Sequence, residues 1–151
     1  SGIRGIKAAF RRLWDASGYN YVSLDLAPDP AANNMGLAKA TSIEQLWAHA
    51  YDPNMTQNAA VAMQLAIWEI VAGDAFSVTW NSWATGVKTL YDGYFTFLGS
   101  ADENTPTANL IALTHPDKQD FVIGVPDGGV TLALLGISMG GLAFFARRKE
   151  S

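Results

Sequence analysis

Few side chains in this sequence could carry covalent or metal chemistry. The chain of 151 residues contains no cysteine, which excludes disulfides, thiolate metal sites and cysteine nucleophiles. Its two histidines, His49 and His115, are too few for a zinc site of the usual kind. Neither a histidine-containing triad nor a cluster of metal ligands stands out among the other residues. The sequence therefore predicts a protein that is not an enzyme and that uses no cofactor or metal.

One polar side chain is notable because of its apolar neighbours. Residues 59–72 are apolar except for Gln64 and Glu69, and Gly73 follows them as a helix-ending residue. An unpaired carboxamide inside a core costs about 1–3 kcal/mol. The pattern predicts that Gln64 bonds to a loop or strand backbone within the core. The apolar residues that share its helical stripe are Ala60, Ile67, Trp68 and Val71.

The end of the chain consists of a turn sequence, an apolar run and a basic cluster. The run, residues 130–146, has seventeen residues and no charge. As a helix it would be about 25 Å long, slightly less than the hydrocarbon layer of about 30 Å. It predicts a transmembrane helix with a cytoplasmic C-terminus, since basic residues favour that side. The alternative is a buried C-terminal helix of a soluble fold, although the run has no polar stripe. The turn residues are Val125, Pro126, Asp127, Gly128 and Gly129, and the basic residues are Arg147, Arg148 and Lys149.

This C-terminal pattern resembles the sorting signals of the PEP-CTERM class, and among them the VPDSG-CTERM variant. Gly128 stands where that variant more often has serine. In that family the signal holds an exported protein in the inner membrane of a Gram-negative bacterium. An exosortase, which is a membrane-embedded cysteine protease, then acts near the motif. The resemblance implies an exosortase as processing partner, contact of residues 130–146 with the lipid bilayer, and release to the cell surface or extracellular matrix.

The middle of the chain has a second resemblance, to the thioester domains of bacterial surface proteins. Four residues match their Gln-x-Ala-Ile-Trp motif: Gln64, Ala66, Ile67 and Trp68. In that family the glutamine condenses with a cysteine on an N-terminal strand. Ser23 occupies the place of that cysteine, ahead of Asp25 and Leu26, which fit the family context. A hydroxyl is a much weaker nucleophile than a thiolate, so thioester chemistry is excluded. We expect Ser23 and Gln64 to be a hydrogen-bonded or neighbouring pair, and the alternative is an internal Ser23–Gln64 ester.

Hydrophobic periodicity indicates the strands that would position these residues. Residues 19–26 alternate between apolar and polar, which predicts a strand with Ser23 on its more polar face. Residues 8–14 are predicted to be its hairpin partner, and the alternative is a basic amphipathic helix on a membrane surface. Residues 110–113 and 121–123 predict a hairpin or two short strands.

Helical patterns lie between these strands. A short helix is predicted with Thr41 or Ser42 as N-cap, after an irregular loop at residues 26–40. A second helix is predicted over residues 59–72. A third is predicted within residues 81–99, where four residues have helical spacing: Trp83, Val87, Leu90 and Tyr94.

These patterns predict an α+β fold in which antiparallel strands pack on central helices, followed by a single C-terminal transmembrane helix. Residues 1–124 are predicted to form a thioester-domain-like extracytoplasmic domain, and residues 125–151 the sorting signal. The chain starts at Ser1 without a methionine or signal peptide, which favours a processed form or a fragment. Residues 13–125 contain three basic and twelve acidic residues, so no nucleic-acid partner is expected.

The expected function is that of an exported bacterial surface or extracellular-matrix protein with a structural or adhesive, non-catalytic role. Extracellular polysaccharide or other surface components are its expected partners. Two alternatives stay open at this point. One is a covalent adhesin that contains the Ser23–Gln64 ester, and the other is a permanently anchored single-pass membrane protein.

Overall fold

The computed structural model of the chain describes residues 18–30, 32–118, 120–125 and 134–135. Short 3-10 turns lie at Leu24–Leu26, Gly73–Ala75 and Ser82–Ala84. The α+β class predicted from the sequence is confirmed. In chain order, the helices and strands of these ranges are β1 (Asn20–Ser23), α1 (Leu37–Ala50), α2 (Gln57–Ala72), α3 (Thr85–Ser100), β2 (Leu110–Thr114), β3 (Phe121–Gly124) and the two-residue β4 (Leu134–Leu135).

The strands form an antiparallel sheet with the spatial order β1-β2-β3-β4. β1 and β2 are neighbours in this sheet although α1, α2 and α3 lie between them in the chain. The register places Tyr21 opposite Leu113 and Leu113 opposite Phe121, while Ala112 pairs with Val122 in the next row. Successive side chains of a strand point to opposite faces. We call the face of Ala112 and Val122 the inner face, and the face of Leu113 and Phe121 the outer face.

The main hydrophobic core lies between the inner face and the helices. Met63 and Ile67 of α2 are fully buried in it, as are Ile43 and Leu46 of α1. A helix that is apolar on nearly all sides needs neighbours on several sides, and α2 meets this condition by its central position. The sheet, α3 and the segment after β1 complete this core with Leu24, Tyr91, Tyr94, Leu110, Ala112 and Val122.

The start of α1 differs from the sequence prediction. The helix begins at Leu37, directly after Gly36, whose φ of 83° is readily adopted only by glycine. Ser42 lies inside the helix, where its hydroxyl donates a hydrogen bond to the carbonyl of Ala38. The leucine, lysine and alanines ahead of Thr41 are good helix formers and extend the helix by one turn. The prediction of an N-cap at Thr41 or Ser42 was therefore wrong.

The ends of α2 follow ordinary capping rules. The Thr56 hydroxyl accepts a hydrogen bond of 3.2 Å from the N–H of Ala59 and so satisfies one of the free N–H groups of the first turn. At the other end the chain leaves the helix at Gly73, which has a φ of 56°. The prediction that Gly73 ends this helix is confirmed.

The first strand is shorter than the sequence pattern predicted. β1 ends at Ser23, and the 3-10 turn Leu24–Leu26 follows it. Leu24 is buried in the main core, but Leu26 is 54 % exposed, so the predicted alternation stops after Ser23. The chain turns here because the carbonyl of Asp25 accepts a hydrogen bond of 2.8 Å from the N–H of Gly36. That bond brings the start of α1 back to the end of β1.

The predicted strands at residues 110–113 and 121–123 are confirmed as the antiparallel neighbours β2 and β3. Beyond them, Leu134–Leu135 pairs with Val122 and Ile123 as β4, so these two residues are extended where the sequence predicted a helix. The rest of that helix lies outside the described residues, as does the hairpin or amphipathic helix predicted near the N-terminus. Within the ranges that the structure describes, no helix combines the length and the apolar character needed to cross a bilayer.

Candidate functional site

Ser23 lies at the end of β1 on the outer face of the sheet. The register pairs it with Ile111, which in turn lies opposite Ile123. The residue is exposed, and its hydroxyl makes no capping bond to the 3-10 turn that follows it. A serine hydroxyl that is not hydrogen-bonded to a base is a weak nucleophile. Ser23 therefore has the surroundings of an ordinary surface serine.

Gln64 lies in the middle of α2 and is half-buried. The sequence predicted that a loop or strand backbone would accept or donate its hydrogen bonds, but no such bond is found within the described residues. The half-buried position explains how this is tolerated, because a carboxamide that retains access to water does not carry the full cost of desolvation. Gln64 therefore sits at the margin of the main core.

The structure does not join Ser23 and Gln64 by a hydrogen bond. The register directs the side chain of Ser23 to the outer face, whereas α2, which carries Gln64, shares the main core with the inner face. An ester between the two would require the hydroxyl of Ser23 to reach the helical side of the sheet.

Asp25 and Glu44 form an acidic pair that the sequence did not reveal. Burial raises the pKa of Glu44, and the nearby charge of Asp25 raises it further. The backbone carbonyl of Glu44 also accepts a hydrogen bond of 2.9 Å from the N–H of Ala108, just ahead of β2. A carboxyl group with a raised pKa can serve as a general acid. Within the described residues, however, no hydrogen bond connects either carboxyl group to Ser23 or Gln64.

A second feature that the sequence did not reveal is an ion pair between Lys39 and Asp29. The side chain of Asp29 is only 1 % exposed and that of Lys39 is 33 % exposed. The ammonium group of Lys39 also donates a hydrogen bond of 2.7 Å to the carbonyl of Val71, in the last turn of α2. A cation is favourable there because the last carbonyls of a helix carry partial negative charge. The pair thus ties the loop before α1 to the end of α2.

His115 stabilises the turn between β2 and β3 through hydrogen bonds. Its backbone N–H donates a hydrogen bond of 2.8 Å to Oδ1 of Asp120, and its Nδ1 accepts one of 2.9 Å from the N–H of Asp117. Its ring lies 5.0 Å from the ring of Tyr19. Burial raises the pKa of Asp120, while the backbone hydrogen bond and the charge of His115 lower it. These contacts give His115 a structural role in the hairpin.

The other histidine and a buried glutamine connect α1 to the end of α3. The ring of His49 stacks on Phe97, with centroids 3.8 Å apart and planes inclined by 7°. Nε2 of Gln45, which is buried, donates a hydrogen bond of 2.9 Å to the carbonyl of Asp102. Both side chains therefore fasten the helical layer. No group of side chains in the described ranges has the composition of a metal site.

Trp83 differs most from its predicted place. The sequence put it on the apolar side of the third helix, but α3 begins only at Thr85, and Trp83 lies in the preceding 3-10 turn. Its side chain is 83 % exposed. It is the next-to-last residue of a segment, residues 76–84, that connects α2 to α3 and that we call the strap.

The predicted sorting motif begins at the residue after β3. The N–H of Val125 donates a hydrogen bond of 2.8 Å to the carbonyl of Asn109, next to the last residue of β3. The other residues of the motif and the basic cluster lie outside the described residues: Pro126, Asp127, Gly128, Gly129, Arg147, Arg148 and Lys149. The motif therefore follows β3 directly in the chain.

Comparison of the chain with protein-family models, with curated proteins and with solved structures finds no match.

Proposed function

We propose that this chain is an exported bacterial surface or extracellular-matrix protein with a structural or adhesive role, which an exosortase-type C-terminal signal directs to its destination. The observation that carries the proposal is the order of three parts at the C-terminus. A Pro-Asp-Gly-Gly turn, seventeen uncharged residues and three consecutive basic residues follow one another. Charge asymmetry of this kind orients a membrane segment with its basic end in the cytoplasm.

The position of the motif supports the proposal. Val125, directly after β3, donates a backbone hydrogen bond to Asn109, and Pro126 follows it. A protease that acts at the motif would release the domain with little trailing chain. A membrane-spanning helix at residues 130–146 would also replace the short pairing of β4 and leave β3 as the edge of the sheet.

The side chains of the domain support a role without catalysis. Among the residues that the structure describes, no base or acid is hydrogen-bonded to Ser23 or Gln64, and both histidines are engaged in structural contacts. Binding through exposed side chains requires no reactive centre. A structural or adhesive role is the function that such a surface can provide.

The test compares the full chain, with an N-terminal export signal, in a Gram-negative host with and without a matching exosortase. Mass spectrometry of the recovered protein identifies its C-terminus. We expect the host without exosortase to retain Ser151 in the membrane fraction, and the host with exosortase to yield a shorter chain that ends near residues 125–129. The variant Pro126→Ala/Asp127→Ala should block this shortening.

A matched control is available inside the domain. Pro116 and Asp117 form another Pro-Asp pair, in the exposed turn between β2 and β3. The variant Pro116→Ala/Asp117→Ala should be shortened like the wild type. Recovery of Ser151 from cells that contain active exosortase would overturn the sorting proposal in favour of a permanent anchor. The same spectra also give the mass of the domain. A mass lower than expected by one ammonia would establish the Ser23–Gln64 ester and overturn the non-covalent role.

A further inference from the structure

The strap has two sides of different character. Phe76 and Trp80 are half-buried and pack against the main core, whereas the intervening Thr79 and the following Asn81 are exposed. Phe76 meets Trp68 edge-on with ring centroids 6.0 Å apart, and Trp80 meets Tyr91 in the same way at 5.1 Å. These inward aromatic contacts hold the strap in place, and the polar side chains are left on its outer side.

Trp83 projects from a turn that hydrogen bonds fix on both sides. The N–H of Ala84 donates a hydrogen bond of 2.9 Å to the carbonyl of Asn81, and the hydroxyl of Thr85 donates one of 2.8 Å to the carbonyl of Ser82. The large exposed indole is therefore presented on a backbone that needs little reorganisation on binding. Preorganisation of this kind lowers the entropic cost of binding.

The stretch of chain around Trp83 is polar but uncharged. Residues 75–87 contain no Asp, Glu, Lys or Arg, although acidic residues predominate in the rest of the domain. The next charged residue, Lys88, is paired with Asp92, and its ammonium group lies 6.0 Å from the centroid of the Trp80 ring. The exposed residues close to Trp83 in the sequence carry hydroxyl and carboxamide groups, and they are Thr79, Asn81, Ser82 and Thr85.

A pyranose ring matches this surface in both of its chemical aspects. One face of such a ring presents C–H groups, which stack on the negative face of an indole, and its edge presents hydroxyls. Hydroxyl and carboxamide side chains can both donate and accept hydrogen bonds with those hydroxyls. An anionic ligand would find no free cation on the strap. A protein partner would need about 800 Å² of well-packed surface on this side, and a single indole among polar side chains does not provide it.

We propose that Trp83 and the outer side of the strap form a binding platform for neutral polysaccharide. The site deepens the adhesive role proposed above by naming its ligand class. It rests on the proposed function only for its biological setting. Binding is measured on the purified chain and sorting is measured in cells, so either test can fail without the other. A polymer with many equivalent sugars could be bound by several copies of the chain, and copies held together on one surface would attach to it more strongly than a single copy.

The test is affinity gel electrophoresis of the full chain in lauryldimethylamine oxide, a detergent without a sugar headgroup. The gels contain laminarin, galactomannan or xyloglucan as neutral polymers, and alginate as an anionic one. We expect retardation in at least one neutral gel and none in alginate. Trp83→Ala should raise the dissociation constant at least about tenfold, which corresponds to the loss of one stacking contact. Trp83→Phe should retain most of the affinity, because it keeps an aromatic face.

The matched control is Leu37→Ala, which removes another large and exposed apolar side chain, 74 % exposed at the start of α1. This variant should bind like the wild type. Three results would overturn the proposed binding site: absence of retardation in every neutral gel, equal binding by Trp83→Ala and wild type, or stronger binding to alginate than to the neutral polymers. Loss of self-association in Trp83→Ala, measured by sedimentation, would instead assign the indole to contacts between copies. All of these results leave the sorting test unaffected.

Discussion

Two connecting segments of this domain hold their shape by different interactions. The loop at residues 27–36 leads into α1, and the strap at residues 76–84 leads into α3. The loop buries Ala27 and Met35 in the main core, and polar groups fasten it as well: the N–H of Met35 donates a hydrogen bond of 2.8 Å to the carbonyl of Ala27, and the carboxylate of Asp29 is buried against Lys39. The strap is fastened by the aromatic side chains of Phe76 and Trp80.

The difference between them concerns which substitutions each can accept. A buried carboxylate needs its cation, because desolvation of an unpaired charge is costly. An aromatic anchor needs only a shape of similar volume, since dispersion and hydrophobic burial are not directional. The loop is thus tied to specific residues, while the strap can vary its outer side without losing its inner contacts. A binding surface is more readily carried by the second kind of segment.

The largest effect that we expect is the loss of the buried anchor of the loop. Asp29→Ala should lower the free energy of unfolding by about 2–3 kcal/mol, because Lys39 loses its partner but keeps a third of its surface in water. The measurement is urea denaturation of the full chain, followed by tryptophan fluorescence.

The matched control for this variant is Asp92→Ala, in the ion pair with Lys88 on α3. Both side chains of that pair are about half exposed, at 46 % and 53 %. Exposed pairs at this helical spacing contribute about 0.3–0.5 kcal/mol. Equal losses of unfolding free energy in Asp29→Ala and Asp92→Ala would show that burial does not distinguish the two ion pairs. The claim that a buried ion pair holds the loop would then be wrong.

A smaller effect is expected for the anchor of the strap. Trp80→Ala should lower the free energy of unfolding by about 2 kcal/mol, below the roughly 3–5 kcal/mol of a fully buried tryptophan, because Trp80 is only half-buried. Trp80→Phe should recover most of this loss, since a smaller ring can still contact Tyr91. If Trp80→Phe is as unstable as Trp80→Ala, the anchoring is specific and the strap resembles the loop.

The sequence predicted the helical layer well because its signals are local. The apolar run of α2 and the glycine that ends it can be read without knowledge of the rest of the chain. The two strands of the β2–β3 hairpin are short apolar runs on either side of a turn, and they were placed correctly. In each case the period of the apolar residues and the turn chemistry indicate the same element.

The interactions between distant residues could not be predicted in this way. Asp29 and Lys39 are ordinary loop and helix residues in the sequence, and only the fold brings them to the end of α2. Leu24 and Leu26 continue the alternation of β1 in the sequence, but they lie in a 3-10 turn whose Asp25 bonds to Gly36, far along the chain. Trp83 has helical spacing to Val87, yet α3 starts after it. Tertiary contacts decided these positions, and no local pattern records them.

The smallest effect that we expect is a dependence of stability on pH. It should arise beside the loop, where Asp25 is close to Glu44 of α1, and not at the strap. Burial and the charge of Asp25 raise the pKa of Glu44 above its ordinary value. A carboxyl group whose pKa is raised by folding stabilises the fold while it is protonated and loses that contribution as the pH rises through the raised pKa. Ionised Glu44 therefore costs stability at neutral pH, and Glu44→Gln should raise the urea midpoint at pH 7. The gain should shrink as the pH falls through the raised pKa and vanish below the ordinary pKa of a glutamate.

The strap provides the control, because no titratable side chain lies between Asp74 and Lys88. The effect of Trp80→Phe on the urea midpoint should therefore be the same throughout the window in which Glu44→Gln varies. Asp25→Asn should reduce the gain from Glu44→Gln, since it removes the second cause of the raised pKa. A gain that does not change with pH, or a loss at pH 7, would mean that packing and not charge governs Glu44. In that case the contact between Asp25 and Glu44 of α1 would depend on packing, as the anchoring of the strap does.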